Sequence, residues 1–150
     1  MAIFEKQFEV GWRDVDPNGH VANMVYLQYA VDTRVAFFAA NGFVPENFHH
    51  YSFGPVIKTD TIEYFREMRM LERFAVTVEN GGHSGDGSRF RVVNNFYKED
   101  RTPAARVTSI GGWLSHKERK LIEPPEAIWN VWLSLVRTND FEELKSSIKH

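Results

Sequence analysis

The segment from Asn23 to Asn41 places the strongest constraint on how this chain can fold. It contains neither glycine nor proline, and Gly42, a common signal for the end of a helix, follows it. Between its ends, the polar side chains are Gln28, Asp32, Thr33 and Arg34. The segment predicts a helix of about 18 residues, which would be about 27 Å long. Because this helix is apolar on nearly every side, we expect it to be buried.

Alternation of polar and apolar residues predicts five strands around this helix. The first run covers residues 4–12, with one apolar face formed by Phe4, Phe8, Val10 and Trp12. The other four runs are residues 56–65, 73–79, 88–98 and 104–115. Turn-forming residues predict a loop at residues 43–54 and a loose hairpin at residues 81–87. Short connections between the last strands indicate an antiparallel meander.

The end of the chain predicts helices. Pro124-Pro125 precedes an expected accessory helix at residues 126–136, and a short polar tail helix is expected from about Phe141, so that residues 125–150 form a helical extension. The whole order predicts one α+β domain over residues 1–150, in which a curved five-stranded antiparallel sheet wraps around a long central helix. Because such a sheet keeps edges and an outer face, we expect pairing with a second copy.

Composition excludes several classes of function. The 150 residues suit one domain, and 18 Lys and Arg against 20 Asp and Glu give a net charge of -2, so nucleic acid is not an expected partner. The chain has no cysteine, which removes disulfides, thiolate metal sites and a cysteine nucleophile. No apolar run approaches the roughly 20 residues that span a bilayer, and residues 1–6 lack a leader-like apolar stretch. We therefore expect a soluble, cytoplasmic protein.

Polar and turn-forming residues are densest directly before the helix. The segment reads Asp14-Val15-Asp16-Pro17-Asn18-Gly19-His20-Val21-Ala22-Asn23. The first amide N–H groups of a helix lack partners within it, and the helix dipole favours negative charge there, so this place can hold an oxyanion. Structural roles are open as well: Asp16 as a turn former, Asn23 as a helix cap, and His20 bonded to a backbone carbonyl.

The stretch Gly11-Trp12-Arg13-Asp14-Val15-Asp16-Pro17-Asn18-Gly19-His20-Val21-Ala22-Asn23-Met24-Val25-Tyr26 resembles the signature of the 4-hydroxybenzoyl-CoA-thioesterase-like acyl-CoA thioesterases, which have the hotdog fold. The similarity extends to Tyr29, Asp32 and Arg34, and a weaker similarity continues through residues 62–66 to about Glu126. The chain departs from the family pattern at Ala22, where Asn is common. It departs again at Glu67 and at Leu71-Glu72, which we expect to affect a turn more than the chemistry.

The resemblance implies hydrolysis of an acyl-CoA to a free acid and coenzyme A. The implied reaction needs no cofactor, since coenzyme A is part of the substrate. It implies Asp16 as nucleophile or as general base for water, and the backbone N–H of Asn23, in the first turn of the helix, as the oxyanion donor. His20 is a further candidate that could orient the substrate or relay a proton.

Other residues carry secondary expectations. The phosphates of coenzyme A need cations, for which the candidates are Arg66, Arg69, Arg89 and Arg91, and we assign Arg66, Arg89 and Arg91 to this role. A sister branch of hotdog thioesterases uses a carboxylate on the long helix. Here that residue is Asp32, which we expect to be structural and paired by Arg34 or by a neighbouring strand.

Competing motifs fail on spacing. Asp14-x-Asp16-x-Asn18-Gly19 matches half of a calcium-binding loop, but Val25 stands where the bidentate Glu is required. Residues 82–87 fit neither a G-x-S-x-G elbow nor a phosphate loop, so no metal or nucleotide is expected. Two functions stay open: an acyl-CoA thioesterase acting as a homodimer or homotetramer, and a non-catalytic hotdog protein that binds acyl-CoA or acyl chains or serves in assembly.

Overall fold

The computed structural model describes residues 2–148. In this part of the chain the elements are β1 Phe4–Glu9, α1 Val25–Ala40, α2 Pro45–His50, β2 Phe53–Tyr64, β3 Arg73–Ser84, β4 Arg89–Lys98, β5 Pro103–Ser115, β6 Leu121–Ile122, α3 Glu126–Leu133 and β7 Arg137–Leu144. A short 3-10 helix covers Trp12–Asp14. No helix within the described range is long and apolar enough to cross a membrane.

The five long strands form an antiparallel sheet in the order β1-β3-β4-β5-β2. The central helix α1 packs against β1, β3 and β5 on one face of this sheet. The predicted α+β fold, with a curved antiparallel sheet around a long helix, is therefore confirmed, but in the described residues the sheet has seven strands and not the expected five. The short β6 pairs with β5, and β7 runs parallel to β3 along its edge.

Helix α1 is buried on one side only within a single chain. Its buried residues are spaced so that they share one helical face, and they are Val25, Tyr26, Tyr29, Ala30, Thr33 and Phe37. The opposite side is open: Met24 beside the helix start is 75% exposed, Val31 is 42% exposed and Val35 is 45% exposed. The expected burial of this helix on all sides is thus not met by the chain's own sheet, and an apolar face remains uncovered.

Two apolar clusters lie under the sheet, one toward each end of α1. The cluster at the start of the helix joins Tyr26 and Tyr29 to Phe74 and Phe96. The cluster at the other end contains Phe37 together with Phe53, Phe90, Trp113 and Trp132. Aromatic rings contribute to both clusters and form most of the second, as expected for a chain with 12 Phe, 4 Trp and 5 Tyr.

Two predictions near the N-terminal half are wrong. The first strand ends at Glu9, and Trp12 is 78% exposed and not on the apolar face. The 3-10 helix causes this difference, because its tighter turn, closed by the Asp14 N–H to the Gly11 carbonyl at 3.1 Å, breaks the alternation of the strand. The expected loop at residues 43–54 contains α2, which begins at Pro45, a residue favoured in the first helical turn.

The predicted tail helix from Phe141 is also wrong, because residues 137–144 form β7. The pairing of β1 with β3 ends at Val78, so the second half of β3 has backbone groups that need partners on that side, and the tail supplies them from Asn80 to Ser84. The close approach of β7 to β3 depends on Gly82, where an added Cβ would lie 2.4 Å from the Glu142 carbonyl oxygen. The expected hairpin between β3 and β4 is present but tighter than predicted: β3 continues to Ser84, with a bulge between Asn80 and Gly82, so residues 85–88 make the turn.

Candidate active site

The loop before α1 is closed by its own backbone hydrogen bonds. The Asp16 N–H donates to the His20 carbonyl at 2.8 Å, and the Gly19 N–H donates to the Asp16 carbonyl at 2.9 Å. Gly19 has a φ of +78°, a conformation that other residues rarely adopt, so glycine is required for the turn. The Ala22 N–H then donates to the Asp14 carbonyl at 2.8 Å and returns the chain toward the helix.

The side chain of Asp16 is fixed through one of its two oxygens. Oδ1 accepts hydrogen bonds from the Asn18 N–H at 2.8 Å and from the His20 N–H at 3.2 Å. These are the bonds of a turn former, as the structural alternative predicts. Within residues 2–148, Oδ2 has no hydrogen-bond or ion-pair partner, and Asp16 is half-buried. The carboxylate is therefore oriented by the loop while one oxygen stays available to a reactant.

His20 lies beside Asp16 and is paired with Glu67. Its Nε2 is 2.8 Å from Glu67 Oε2, and Arg69 Nη2 donates to Glu67 Oε1 at 3.0 Å. The hydrogen bond from Arg69, with electrostatic contributions from His20, Arg69 and Lys98, holds the pKa of Glu67 below its usual value. Glu67 lies in the turn between β2 and β3, as expected, but it also contacts a candidate site residue, so the expectation that this position matters mainly to the turn was incomplete.

Asn23 lies two residues before the first residue of α1 and not within its first turn. Its N–H has no acceptor within the described residues, and its carbonyl accepts a hydrogen bond from the Tyr64 hydroxyl at 3.3 Å. Tyr26 is buried beside Tyr64, and burial, together with the charges of Tyr64, Glu72 and Asp16, raises the pKa of Tyr26 to about 12. An uncommitted N–H and a neutral phenol therefore flank the start of the helix.

Asp14 has a structural environment, as expected. It accepts hydrogen bonds from the Tyr29 hydroxyl and from the Gly11 N–H, the second at 3.4 Å. Burial, strengthened by the hydrogen bond to Asp14, raises the pKa of Tyr29. Because the Tyr29 hydroxyl stays protonated and donates to Asp14, this carboxylate is committed to fastening the loop to α1.

The three arginines assigned to the coenzyme A phosphates do not come together in one chain. Arg66 is exposed just beyond β2, two residues after Tyr64, which contacts Asn23. Arg91 has only 13% of its side chain exposed and is paired with Asp140 and Glu142, each at 3.4 Å. Arg89 donates to Ser147 at 3.3 Å. At about 3.3 Å per residue, these two arginines lie about 23 to 30 Å along β4 from Lys98, which contacts the Glu67 turn.

Asp32 is exposed on α1, and the expectation that Arg34 pairs with it is wrong. Arg34 turns toward the sheet, where its Nε donates to Asn94 at 2.9 Å and its Nη2 donates to Ser109 at 2.6 Å. Burial lowers the pKa of Arg34 to about 10, so it keeps its positive charge at neutral pH. Nor does a neighbouring strand pair with Asp32 in the part of the chain described here.

A cavity of about 500 Å³ lies beside the second half of α1. Its lining is almost wholly apolar and comes from α1, α2, the four strands β2 to β5 and α3. Three of its aromatic lining residues, Phe90, Trp113 and Trp132, could not be foreseen from the sequence, because only strand pairing and the packing of α3 bring them there. Asp16 does not line this cavity.

The chain matches one known family and is similar to several solved structures. The family described as the thioesterase-like superfamily matches residues 10–131. No curated protein matches the sequence. Among solved structures, a hypothetical protein from Staphylococcus aureus in complex with CoA is 18% identical with a TM-score of 0.80, covering 87% of this chain and 81% of its own.

Two further structures have named activities. A 1,4-dihydroxy-2-naphthoyl-CoA thioesterase from Synechocystis is 18% identical with a TM-score of 0.80, covering 89% of this chain and 98% of its own. A putative oleoyl thioesterase from Lactobacillus plantarum is 16% identical with a TM-score of 0.82, covering 99% of this chain and 55% of its own. These likenesses confirm the hotdog fold.

Proposed function

Because the chain belongs to the thioesterase-like superfamily, we propose that it is an acyl-CoA thioesterase, which hydrolyses an acyl-CoA to a free acid and coenzyme A. The observation that carries this proposal is the uncommitted Oδ2 of Asp16 in the loop that leads to the uncommitted N–H of Asn23. The CoA complex of the Staphylococcus aureus structure and the activity named for the Synechocystis protein support the choice of substrate. A cytoplasmic location is part of the same proposal.

Asp16 can act in either of two ways. As a general base, Oδ2 takes a proton from water while the water oxygen bonds to the thioester carbon; the C–S bond then breaks and the coenzyme A sulfur takes up the proton. As a nucleophile, Oδ2 bonds to that carbon and expels the thiolate, and water then hydrolyses the mixed anhydride. Both routes place negative charge on the carbonyl oxygen, to which the Asn23 N–H would donate.

The active form is proposed to be a homodimer, or a homotetramer built from dimers. The loop of Asp16 and the cavity lie at opposite ends of α1, which has 16 residues and is about 24 Å long. Antiparallel packing of two such helices through the uncovered face around Val31 and Val35 would bring the loop of one protomer to the cavity of its partner. Light scattering at micromolar concentration tests this, and a monomer of 17.4 kDa would contradict it.

The catalytic assignment is tested by measuring thiol release from a panel of short, medium, long and aromatic acyl-CoAs. Asp16→Asn is expected to lower kcat about 100- to 10,000-fold, because it removes the base or nucleophile. Asp32→Asn is the matched control: it neutralises the exposed carboxylate on α1 and is expected to keep activity. Full activity of Asp16→Asn would contradict the assignment of Asp16 as the catalytic carboxylate. If only Asp32→Asn lost activity, Asp32 on α1 would be the catalytic carboxylate instead.

A second candidate function is binding of acyl-CoA or acyl chains without hydrolysis. It is favoured by the two hydrogen bonds that Asp16 Oδ1 accepts, since a purely structural turn makes the same bonds. The same assay separates the two functions. Tight binding of acyl-CoA with no thiol release from any substrate would support the second.

A further inference from the structure

Burial varies along the cavity and so defines a floor and a mouth. The floor is formed by side chains that are at most 5% exposed, which are Phe53, Val78, Phe90, Val92, Trp113 and Trp132. The mouth is formed by exposed residues on α1, α2, β2 and the end of β5, which are Val31, Val35, Pro45, His49, Pro55, Ile57 and His116. Within one protomer this leaves an entrance between α1 and the edge strand β2 that leads to the aromatic floor; in the proposed dimer, which covers Val31 and Val35, the partner's loop would lie at this entrance.

Polar side chains are confined to the wall and the mouth of this cavity. Arg34 forms part of the wall, and two of its nitrogens already donate to Asn94 and Ser109. His49 and His116 are exposed at the mouth. Among the described lining residues the floor holds no charged or hydroxyl-bearing side chain, and the Trp132 indole N–H donates to His83 at 3.3 Å.

On the basis of the proposed thioesterase function, we infer that this cavity selects a linear alkyl acyl chain of medium to long length over hydroxylated aromatic acyl groups. A volume of about 500 Å³ holds about sixteen groups of the size of a water molecule or methylene, at about 30 Å³ each. A hydroxyl group carried to the floor would lose its hydrogen bonds to water and find no partner. An alkyl chain gains from every methylene that it buries.

The first measurement compares kcat/KM among acyl-CoAs. It should rise about 100-fold from butanoyl-CoA to octanoyl-CoA, because each buried methylene contributes about threefold or more, and level off by about sixteen carbons. 4-Hydroxybenzoyl-CoA should be about 10- to 100-fold poorer than benzoyl-CoA. Equal rates across the chain-length series, or a hydroxylated aromatic substrate as the best of the panel, would overturn the inference.

Two variants change the cavity in opposite directions. Val92→Phe fills part of the floor and should lower the ratio of dodecanoyl-CoA to butanoyl-CoA activity about tenfold. Phe48→Ala removes a ring that stacks near Trp113 and should shift the preference to longer chains. Val44→Phe is the matched control: Val44 is 40% exposed and outside the cavity lining, so the ratio should not change. A common loss for all substrates would indicate a structural effect and contradict the inference.

A binding experiment separates failure of this inference from failure of the proposed function. If the protein hydrolyses acyl-CoAs but shows no chain-length preference, the inference fails and the thioesterase function stands. If no acyl-CoA is hydrolysed, dodecanoate binding to the wild-type protein is measured through tryptophan fluorescence, since Trp113 and Trp132 form the floor. A change in tryptophan emission that is lost in Val92→Phe supports the alkyl-binding cavity, and the absence of any change overturns it.

Discussion

The two ends of helix α1 differ in almost every physical property. At the N-terminal end a loop of backbone hydrogen bonds presents Asp16 and His20 beside charged side chains, half-exposed to water. At the C-terminal end aromatic residues enclose a cavity whose floor is at most 5% exposed. A hydrolytic reaction needs water and a charged group, whereas an acyl tail needs a site from which water is removed. The two parts that the proposed reaction requires therefore lie at opposite ends of the same helix in one chain.

The largest expected difference between the two ends of α1 is in the free energy of unfolding that is lost when a buried aromatic side chain is removed. Phe74→Ala at the N-terminal cluster should lower the free energy of unfolding by about 4 kcal/mol, because Phe74 is 1% exposed and contacts the rings of Phe8, Tyr29 and Phe96. Phe90→Ala should cost about 2 to 3 kcal/mol, because one side of this ring already faces the cavity. Urea unfolding measures both, and an equal or larger loss for Phe90→Ala would show that the cavity is filled in solution.

Replacing Arg66 and replacing Arg91 should affect different quantities. If Arg66 binds a phosphate of coenzyme A, as proposed from the sequence, Arg66→Ala should raise KM for acyl-CoA about tenfold; Arg66 is exposed and adjacent to Glu67, which pairs with His20. Arg91→Ala should leave KM unchanged and lower stability, because Arg91 is held by Asp140 and Glu142. Steady-state kinetics and urea unfolding of both variants test this. If Arg91→Ala raised KM and Arg66→Ala did not, Arg91 and not Arg66 would be assigned to substrate binding.

The pair between His20 and Glu67 gives a smaller expected effect. Glu67→Gln removes the charge that faces His20 Nε2 at 2.8 Å and should lower kcat up to about fivefold if His20 takes part in the chemistry. The split between kcat and stability distinguishes this role from simple support of the turn, because loss of support alone would lower the free energy of unfolding without a matching loss of kcat. Arg69→Ala, which removes the other partner of Glu67, serves as the control.

The smallest expected effect lies on the outer face of the sheet, away from both ends of α1. Hydrogen bonds from Arg106, with others from Thr138 and Arg91, hold the pKa of Asp140 below its usual value. A lowered pKa stabilises the fold above the pKa of unfolded aspartate, about 3.9, and this contribution is lost as the pH falls through the folded pKa. Asp140→Asn should therefore cost about 1 kcal/mol at pH 7 and progressively less in acid. A cost that does not decrease in acid would contradict this account, and activity should not change.

Some features of the molecule were predictable because they depend on local sequence. The long apolar segment became α1 over Val25–Ala40, and the runs near residues 73, 89 and 103 became strands that begin within one residue of their expected starts. The loop around Asp16 was predictable for the same reason, since Gly19 and the side chain of Asp16 act within a few residues. That Asp16 acts in catalysis is a prediction still to be tested.

Other features could not be predicted because they depend on contacts between distant residues. Arg34 binds Asn94 and Ser109, which are 60 and 75 residues away in sequence, and nothing near Arg34 indicates this choice over Asp32. The tail became β7 because Gly82 lets another backbone approach the edge of β3.

The sequence by itself determined a long helix, its antiparallel strands and the polar loop that precedes the helix, because hydrophobic periodicity and turn residues act over a few positions. Only the tertiary structure decided where the cavity lies and how far it is from Asp16. Its floor is assembled from β2 to β5 and α3, and strand order and helix packing, which no local pattern encodes, bring these elements together.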